Sequence, residues 1–475
     1  MEMMLMGDVP VDRHRRFERA DVAGKAWLLC FAFILGLYFF VWWLSLKPGI
    51  FSFDSGFYLQ EVLSGKLTDR KPFLYARFLQ ITSLNGACFE LSVLIQAALV
   101  VFVISRAFEI AAISRASIPV MVFCAVLILN PFVLFMAFYV QNDVLYCFAI
   151  IAILIETLNI SRLGSVGKVG YVVVAIFSPM AFGFRENGLL FLPLWWLLLP
   201  LFMRRALWVR LVITSVLSTA LVYGSIVGVD RSDRHDIFYP AAIHESIRLA
   251  QPVFGHAGGG LLSSETRDSI GPAQVASAVP LYWPLYWDTI AFFPQGPQLA
   301  ELPPSQRGQI VSSFLRHDLA PNLPSVLAHR VEIFLAATLA RAEYVDPYSA
   351  PANIPETLAA EKDGVRDTGL LGRVARFSIQ SRAWTWNALL GVGVLSVLTF
   401  CGLWCRDVRI LAICFLLWVQ ATAVLALAPS AEYRYVFMLY LAPLILLVKL
   451  PSPNGYSAKT NNVSLRMFRW RERGS

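Results

Sequence analysis

Charged residues are scarce in this chain. Only 15% of its 475 residues are Asp, Glu, Lys or Arg, whereas soluble domains carry about a quarter. Hydrophobic residues make up 57% and come in uninterrupted runs, the first of which is WLLCFAFILGLYFFVWWLSL at 27–46. A run of that length crosses roughly 30 Å of hydrocarbon as a helix. These features exclude a soluble enzyme, a disordered chain and a nucleic-acid-binding protein as descriptions of the whole chain.

Patterns of metal-binding or disulfide-forming residues are also missing. The chain has seven cysteines and six histidines, but no CxxC and no Cys/His pair at ligand spacing. All the cysteines except Cys88 lie in apolar runs, where cysteine is an ordinary apolar residue. We therefore predict neither a disulfide framework nor a zinc site, and assign no metal ligand. The cofactor is left open, a divalent metal included.

The long apolar runs predict an all-α polytopic membrane protein with about ten, and at most twelve, transmembrane helices. The predicted spans are 26–46, 91–113, 118–138, 144–160, 169–184, 188–203, 211–229, 384–405, 410–428 and 435–450. The fifth, sixth and tenth are short for a span. Asn130-Pro131 predicts a kink within the third.

Basic residues concentrate on one side of this topology. They lie in the two tails and in the short turns after every second span: Arg13, Arg15, Arg16, Arg19, Lys25, Arg106, Arg115, Arg162, Lys168, Arg204, Arg205, Arg210, Arg406 and Arg409, with six more from Lys449 to Arg473. The short turns of the other side, 139–143, 185–187 and 429–434, hold only Arg185 and Arg434. Because basic residues favour the cytoplasmic side, we expect both termini in the cytoplasm. The net charge of +8 is then due to the basic residues of the cytoplasmic side, whose tail can bind anionic membrane lipids. We predict no nucleic-acid partner.

Two segments on the opposite, outer side are long. Residues 47–90 form a first outer loop, and 230–382 is too long for a connection, which predicts an ordered extracytoplasmic domain. The run PLYWPLYW at 280–287 is typical of an interfacial aromatic patch. Residues 326–339 predict an amphipathic helix on the membrane or a marginal eleventh span.

The full organisation follows from these segments. It comprises a cytoplasmic tail (1–25), a transmembrane bundle (26–229), the extracytoplasmic loop domain (230–382), C-terminal transmembrane helices (383–450) and a basic cytoplasmic tail (451–475).

The outer turns carry clusters of charged residues at the membrane edge. The clusters contain Asp54 in FSFDSG, Asp143 in YVQNDVLY, Arg185 and Glu186 in GFRENGLL, and Glu432 and Arg434 in SAEYRYVF. Ionisable groups at this depth are costly and face the interior of a bundle. Several such clusters on one face predict a polar cavity that opens outward.

Such a cavity suits the transfer of a sugar from a lipid-linked phosphate. The acceptor hydroxyl needs a carboxylate to take its proton, and we predict Asp54 for that catalytic role. The departing phosphate needs cations, and Arg185 and Arg434 can grip it through their planar forks. The remaining predicted substrate-binding residues are Asp143, Glu186, Glu432, Lys71 and Arg77.

Each candidate also has a structural interpretation. Asp54 and Asp143 could cap helices, and Arg185 could pair with Glu186. Lys71 and Arg77 could snorkel to the interface, and Glu432 could pair with Arg434. Glu61 and Asp69 are alternative acids in the first outer loop. The histidines of the predicted extracytoplasmic domain are His235, His244, His256, His317 and His329. Their spacing matches no metal-binding motif.

The layout resembles that of the GT-C glycosyltransferases, which use polyprenyl-phosphate-linked sugars. FDSGFYLQEVLSGKLTDRKPFLYARFL (53–79) is similar to the first outer loop of that family, with Asp54 at the position of the catalytic acid. QNDVLY, FRENG and AEYRY are similar to turns of bacterial members. Where many relatives have a second acid or a His-Pro pair, this chain has Ser55 and Lys71-Pro72.

The resemblance implies a GT-C-like fold and an integral glycosyltransferase of the bacterial inner membrane. Its partners would be a polyprenyl-phosphate-linked sugar and a glycan, lipid or protein acceptor. An O-antigen ligase or polymerase is one alternative, although the essential Arg and His of those enzymes lie in the late outer loop. A glycolipid transporter or flippase is the other, although the paired repeats of transporters are not visible here.

Overall fold

The computed structural model describes residues 11–69, 71–113, 118–226, 228–230, 236–252, 261–339, 341, 351, 353–363 and 369–447. The predicted basic tail 451–475 lies outside these residues. The first helix begins at Val11, inside the predicted tail 1–25. The described residues are helical, and their extended pairing is confined to isolated bridges such as Ile50–Tyr139.

The apolar part of the chain forms a helical bundle with two short helices after α1. The helices are α1 (Val11–Leu46), α2 (Phe53–Ser64), α3 (Phe73–Thr82), α4 (Phe89–Ile113), α5 (Ile118–Ile128), α6 (Pro131–Phe138), α7 (Asn142–Leu163), α8 (Lys168–Gly183), α9 (Gly188–Leu198) and α10 (Arg205–Gly224). After the long polar segment the bundle resumes with α20 (Leu389–Trp404), α21 (Val408–Leu427) and α22 (Tyr433–Leu447).

The polar segment between them contains nine further α-helices among the described residues. They are α11 (Tyr239–Leu249), α12 (Ser264–Ile270), α13 (Pro272–Ala278), α14 (Asp288–Ala291), α15 (Pro304–Ser313), α16 (Leu323–Thr338), α17 (Glu356–Asp363), α18 (Leu370–Gln380) and α19 (Arg382–Thr385).

Six stretches of the described chain are long and apolar enough to cross a membrane, which makes the chain a multi-pass helical membrane protein. They are Leu29–Leu46, Phe89–Ala111, Asn142–Leu163, Arg205–Gly224, Arg382–Trp404 and Val408–Leu427. Helices α5 and α6 are bent by 50° relative to each other. They make a seventh span if the bent pair is counted as one. The bend lies at Asn130-Pro131, where Asn130 caps α6 and Pro131 is its first residue. The predicted kink is thus confirmed.

The predicted count of about ten spans is not confirmed. Three of the predicted spans correspond to apolar helices of fewer than 18 residues, α8, the α9 region to Leu201, and α22. All three border polar turns, since α8 ends and α9 begins around 184–187 and α22 begins just after Glu432.

Helix α7 is the centre of the bundle. In this helix 83% of the apolar span is buried, compared with 22% in α1 and 17% in α10. The two peripheral helices expose large apolar side chains, among them Leu37 and Leu221, as helices that face lipid do. A Cβ atom on Gly391 of α20 would lie 2.0 Å from the Leu439 carbonyl oxygen. A small residue is therefore required where α20 and α22 cross.

The segment from α11 to the start of α16 has a hydrophobic core of its own, and we call it the lobe. Ile243, Ile270, Ile290 and Ile310 lie at the centre of this core and are fully buried. The core ends near Val326 of α16, and the later residues of the predicted domain 230–382 pack against the bundle instead. Helix α16 contacts α21 and α22 and is not a candidate span. It is thus not among the candidate spans, and its location on the membrane surface stays a prediction. The apolar side chains Leu323, Leu327, Val331 and Leu335 are exposed along this helix.

The orientation predicted from the basic residues can be tested by cysteine labelling. Asp268 is exposed on the lobe, whereas Ala206 is exposed at the opposite end of the bundle, where α10 begins. In a cysteine-free background, we expect D268C in intact spheroplasts to react with a membrane-impermeant maleimide. A206C should react only after permeabilisation, and the reverse result would place the lobe in the cytoplasm.

Candidate functional site

A cavity of about 430 Å³ lies between the lobe and the adjacent end of the bundle. Its volume is in the range of small-ligand sites. The charged residues that line it are Asp54, Lys71, Asp143, Arg185, Glu186, Asp288, Glu432 and Arg434. One wall is apolar and consists of Ala423, Val424 and Leu427 from the last turns of α21.

The start of α2 is anchored to the turn between α6 and α7. The Ser55 hydroxyl donates to the Val140 carbonyl at 2.8 Å, and the Val140 N–H donates to the Ile50 carbonyl at 2.9 Å. Ser52 is the N-cap of α2 and forms a capping box with Ser55. Asp54 is therefore not the helix cap, and its carboxylate is available for the cavity.

Both carboxylate oxygens of Asp54 contact cations. Lys71 Nζ lies 3.0 Å from Oδ1, and Arg434 Nη1 lies 2.5 Å from Oδ2. Burial by itself would raise the pKa of Asp54, but the two cations outweigh it and hold the pKa well below its usual range. Asp54 is consequently an anion throughout the physiological pH range and a weak proton acceptor.

The guanidinium of Arg434 is also held by Glu432 and Tyr435. Its Nε lies 2.5 Å from Glu432 Oε2, and its Nη2 lies 3.0 Å from Glu432 Oε1. Its central carbon is 5.0 Å from the ring centre of Tyr435, and that of Arg185 is 4.9 Å from the same ring. One aromatic ring thus supports both guanidinium groups through cation–π contacts.

Arg185 forms an ion pair with Asp143 rather than with its neighbour Glu186. Asp143 lies in the first turn of α7, where the helix dipole favours a carboxylate. Asn142 Nδ2 donates to the Phe184 carbonyl at 2.5 Å and joins the start of α7 to the turn after α8. Among the described residues, Glu186 has no ion-pair partner.

The lobe holds the turn 428–434 in place. Two hydrogen bonds join this turn to the aromatic run, from Ala431 N to the Leu285 carbonyl at 2.8 Å and from Trp287 N to Ser430 Oγ at 3.3 Å. A third contact comes from α16, where Arg330 Nη1 donates to the Ala428 carbonyl at 2.7 Å. These contacts bring the residue after Trp287 next to the turn that carries Glu432 and Arg434.

Arg330 is part of a buried network that joins α16 to α11 of the lobe. Glu245 accepts from Arg330 Nε at 2.6 Å, from His329 Nδ1 at 2.7 Å and from Arg248 Nε at 2.7 Å. The pKa of Glu245 is therefore well below its usual range, although burial acts in the opposite direction. Burial and the nearby Arg330 lower the pKa of His244 to about 3, which keeps it neutral. This network stabilises the lobe and does not line the cavity.

Asp288, the first residue of α14, lines the cavity and was not among the predicted site residues. Its carboxylate has no hydrogen bond or ion pair with any residue that the structure describes. Burial raises the pKa of Asp288 to about 7, reinforced by the carboxylates of Glu432 and Asp54. Arg434 and Lys71 oppose this shift without cancelling it. Burial likewise raises the pKa of Glu432.

A signal for Asp288 was present in the sequence. The aromatic run PLYWPLYW at 280–287 is followed directly by this acid. Asp54 also follows an aromatic segment, FSF. The two positions share a pattern, an acid immediately after interfacial aromatic residues.

The structure brings together the predicted site residues with one exception. Arg77 does not line the cavity, because its Nη1 donates to Gln80 Oε1 at 2.5 Å on α3. The alternative acids Glu61 and Asp69 also lie outside it. Within the described residues, no group of three or more His, Cys, Asp or Glu side chains is arranged to hold a metal ion.

Comparisons with protein-family models, with curated proteins and with solved structures found no match to this chain. The resemblance to GT-C glycosyltransferases therefore stays a prediction based on the residues quoted above.

Substitutions of Asp54 and Asp288 should change thermal stability in opposite directions. The pKa of Asp54 is lowered on folding, so its charge stabilises the protein above the unfolded pKa of about 3.9, and Asp54→Asn should lower the Tm. The pKa of Asp288 is raised, so its ionisation destabilises the folded state as the pH rises from about 4 towards 7. Asp288→Asn should therefore raise the Tm at pH 8.

The gain from Asp288→Asn should shrink at pH 5, where most folded wild-type protein already carries the proton. Thermal unfolding of the purified protein in detergent at both pH values provides the measurement. A lower Tm for Asp288→Asn at pH 8 would contradict the unpaired, destabilised carboxylate described above.

Proposed function

We propose that this chain is a membrane transferase that moves a sugar from a polyprenyl-phosphate donor to a glycan, lipid or protein acceptor. The reaction would take place at the outer face of the bacterial inner membrane. The proposal depends on one observation, the cavity that combines an apolar wall with three cations at one end of the bundle.

The apolar wall supports a ligand with a hydrocarbon chain. Val424 and Leu427 belong to the stretch Val408–Leu427, which is apolar enough to cross a membrane. The wall is therefore continuous with a helix that faces the hydrocarbon of the bilayer. A polyprenyl chain could lie along α21 while its phosphate enters the cavity.

The cations support a phosphate as the polar part of that ligand. Lys71, Arg185 and Arg434 converge from three separate chain segments. Arginine binds phosphate through two parallel N–H donors, and lysine binds it as a point charge. When the bond from the sugar to the phosphate oxygen breaks, these groups would neutralise the charge that develops on the phosphate.

Each cation is already paired with a carboxylate, which limits how tightly a phosphate binds. Asp54 occupies Lys71 and Arg434, and Asp143 occupies Arg185. An incoming phosphate must compete with these carboxylates for the same donors. Moderate affinity of this kind suits an enzyme that has to release polyprenyl phosphate after every turnover.

The two alternatives have less support. The charged residues of the cavity come from one end of the bundle, whereas a flippase needs a polar path through the membrane. A ligase or polymerase would use Arg and His from the long late segment. The described histidines of that segment, His244, His317 and His329, do not line the cavity.

Lipid analysis of a deletion strain tests the proposal directly. We expect a cell-envelope glycan that lacks one sugar, together with accumulation of the polyprenyl-phosphate sugar. An unchanged set of envelope glycans and carrier lipids would contradict a transferase. Accumulation of a complete glycolipid on the cytoplasmic face would favour the flippase instead.

The cation assignment is tested by binding of polyprenyl phosphate to the purified protein in nanodiscs. Arg185→Ala and Arg434→Ala should each weaken binding by about tenfold or more, since a hydrogen bond to a charged group contributes about 1.5–3 kcal/mol. Arg434→Lys should recover part of the loss, because lysine keeps the charge without the planar fork. Arg316→Ala, at an exposed position on the lobe, serves as the control. Wild-type affinity in both cavity variants would limit Arg185 and Arg434 to structural roles.

A further inference from the structure

We infer that Asp288, and not Asp54, is the residue that accepts the proton of the acceptor hydroxyl, while Asp54 positions Lys71 and Arg434. This inference rests on the proposed function and adds a residue to its mechanism. It follows from how the two carboxylates are engaged in the same cavity.

Each oxygen of the Asp54 carboxylate already contacts a cation. Its Oδ1 contacts Lys71 and its Oδ2 contacts Arg434, at 3.0 and 2.5 Å. A general base must reach the proton that it abstracts and must bind that proton well. A carboxylate with both oxygens in ion pairs binds a proton weakly and does not meet the second condition. It is, however, well suited to hold two cations at a fixed separation.

Asp288 differs from Asp54 in each respect. It lines the same cavity, and no described side chain pairs with its carboxylate. Its position is fixed from both sides, by its place at the start of α14 and by the hydrogen bond from Trp287 N to Ser430 Oγ. An ordered and unpaired carboxylate at the wall of a ligand cavity is available to a substrate.

The charged groups around Asp288 come from two elements of the bundle. The first loop contributes Asp54 and Lys71, and the turn before α22 contributes Glu432 and Arg434. Burial and the carboxylates of Glu432 and Asp54 raise the pKa of Asp288 to about 7, and the opposing effect of Arg434 and Lys71 is smaller. A general base is most effective when its pKa lies near the working pH. The position of Asp288 in the cavity and its raised pKa therefore both favour it as the general base.

Transfer of the sugar to the acceptor forms one bond and breaks another. The hydroxyl oxygen of the acceptor forms a bond to the anomeric carbon of the sugar, and its proton moves to the Asp288 carboxylate. The bond between the anomeric carbon and the phosphate oxygen breaks, and the phosphate keeps the electron pair. Lys71, Arg185 and Arg434 neutralise the resulting charge. Asp288 later returns the proton to water through the open cavity.

The first test is the pH dependence of polyprenyl phosphate binding in nanodiscs. In the wild type, affinity should fall severalfold between pH 6 and pH 8, because Asp288 becomes an anion beside the phosphate. The phosphate monoester itself titrates near pH 6, but this contribution is the same in every variant. In Asp288→Asn the part of the pH dependence that is due to Asp288 should be absent. This variant should bind polyprenyl phosphate more tightly than the wild type at pH 8. An identical pH profile in wild type and variant would overturn the inference.

The second test is restoration of the glycan in the deletion strain, followed by pulse labelling. Asp288→Asn should slow the appearance of the glycan by about 10²–10⁴-fold, the usual contribution of a general base. Asp288→Glu should restore part of the rate. Asp268→Asn, the same change at an exposed lobe position, should restore it fully.

The outcomes separate the inference from the proposed function. If the deletion strain lacks a glycan and the wild type binds polyprenyl phosphate, full restoration by Asp288→Asn overturns only the role of Asp288. If the deletion strain keeps every glycan and the wild type does not bind polyprenyl phosphate, both the proposed function and the inference are wrong.

Discussion

The ion pair between Asp54 and Arg434 is the interaction on which the site depends. It joins residues 380 positions apart, one just after the first span and the other at the start of the last helix. Neither charge could be buried alone, because an uncompensated ion in a low-dielectric environment costs several kcal/mol. The pairing requirement therefore holds α2 and α22 together. Arg434 then shares the ring of Tyr435 with Arg185, since both guanidinium groups lie about 5 Å from the ring centre.

The lobe completes the site by holding one turn of the bundle. Arg330 and the aromatic run both bind the segment 428–434, and the buried Glu245 network keeps α16 and α11 in register with each other. The cavity consequently lies between two bodies with separate hydrophobic cores. Asp288 reaches the cavity only because these contacts dock its segment on the turn.

The carboxylates of the cavity divide into two kinds. Asp54, Asp143 and Glu432 hold cations in place and have to be displaced from them by a phosphate, which keeps the affinity for phosphate moderate. Asp288 and Glu186 have no described ion-pair partner and are free to face the sugar or the acceptor. A site with more acids than bases binds a phosphate through local pairing rather than through its net charge. Proton uptake by Asp288 reduces the excess of negative charge when the ligand enters.

The sequence by itself determined the helical membrane class, the kink at Asn130-Pro131 and the candidate residues at the turns, because long apolar runs, proline and isolated charges act locally. Its count of about ten full spans is not confirmed, since hydropathy does not show where a helix such as α8 begins and ends. Tertiary structure decided which charges pair. Arg185 pairs with Asp143 instead of its neighbour Glu186, Arg77 is held by Gln80 outside the cavity, and Asp288 enters it from a distant segment. Pairing depends on distances between chain segments that are far apart in sequence, and those distances exist only once the bundle and the lobe have packed.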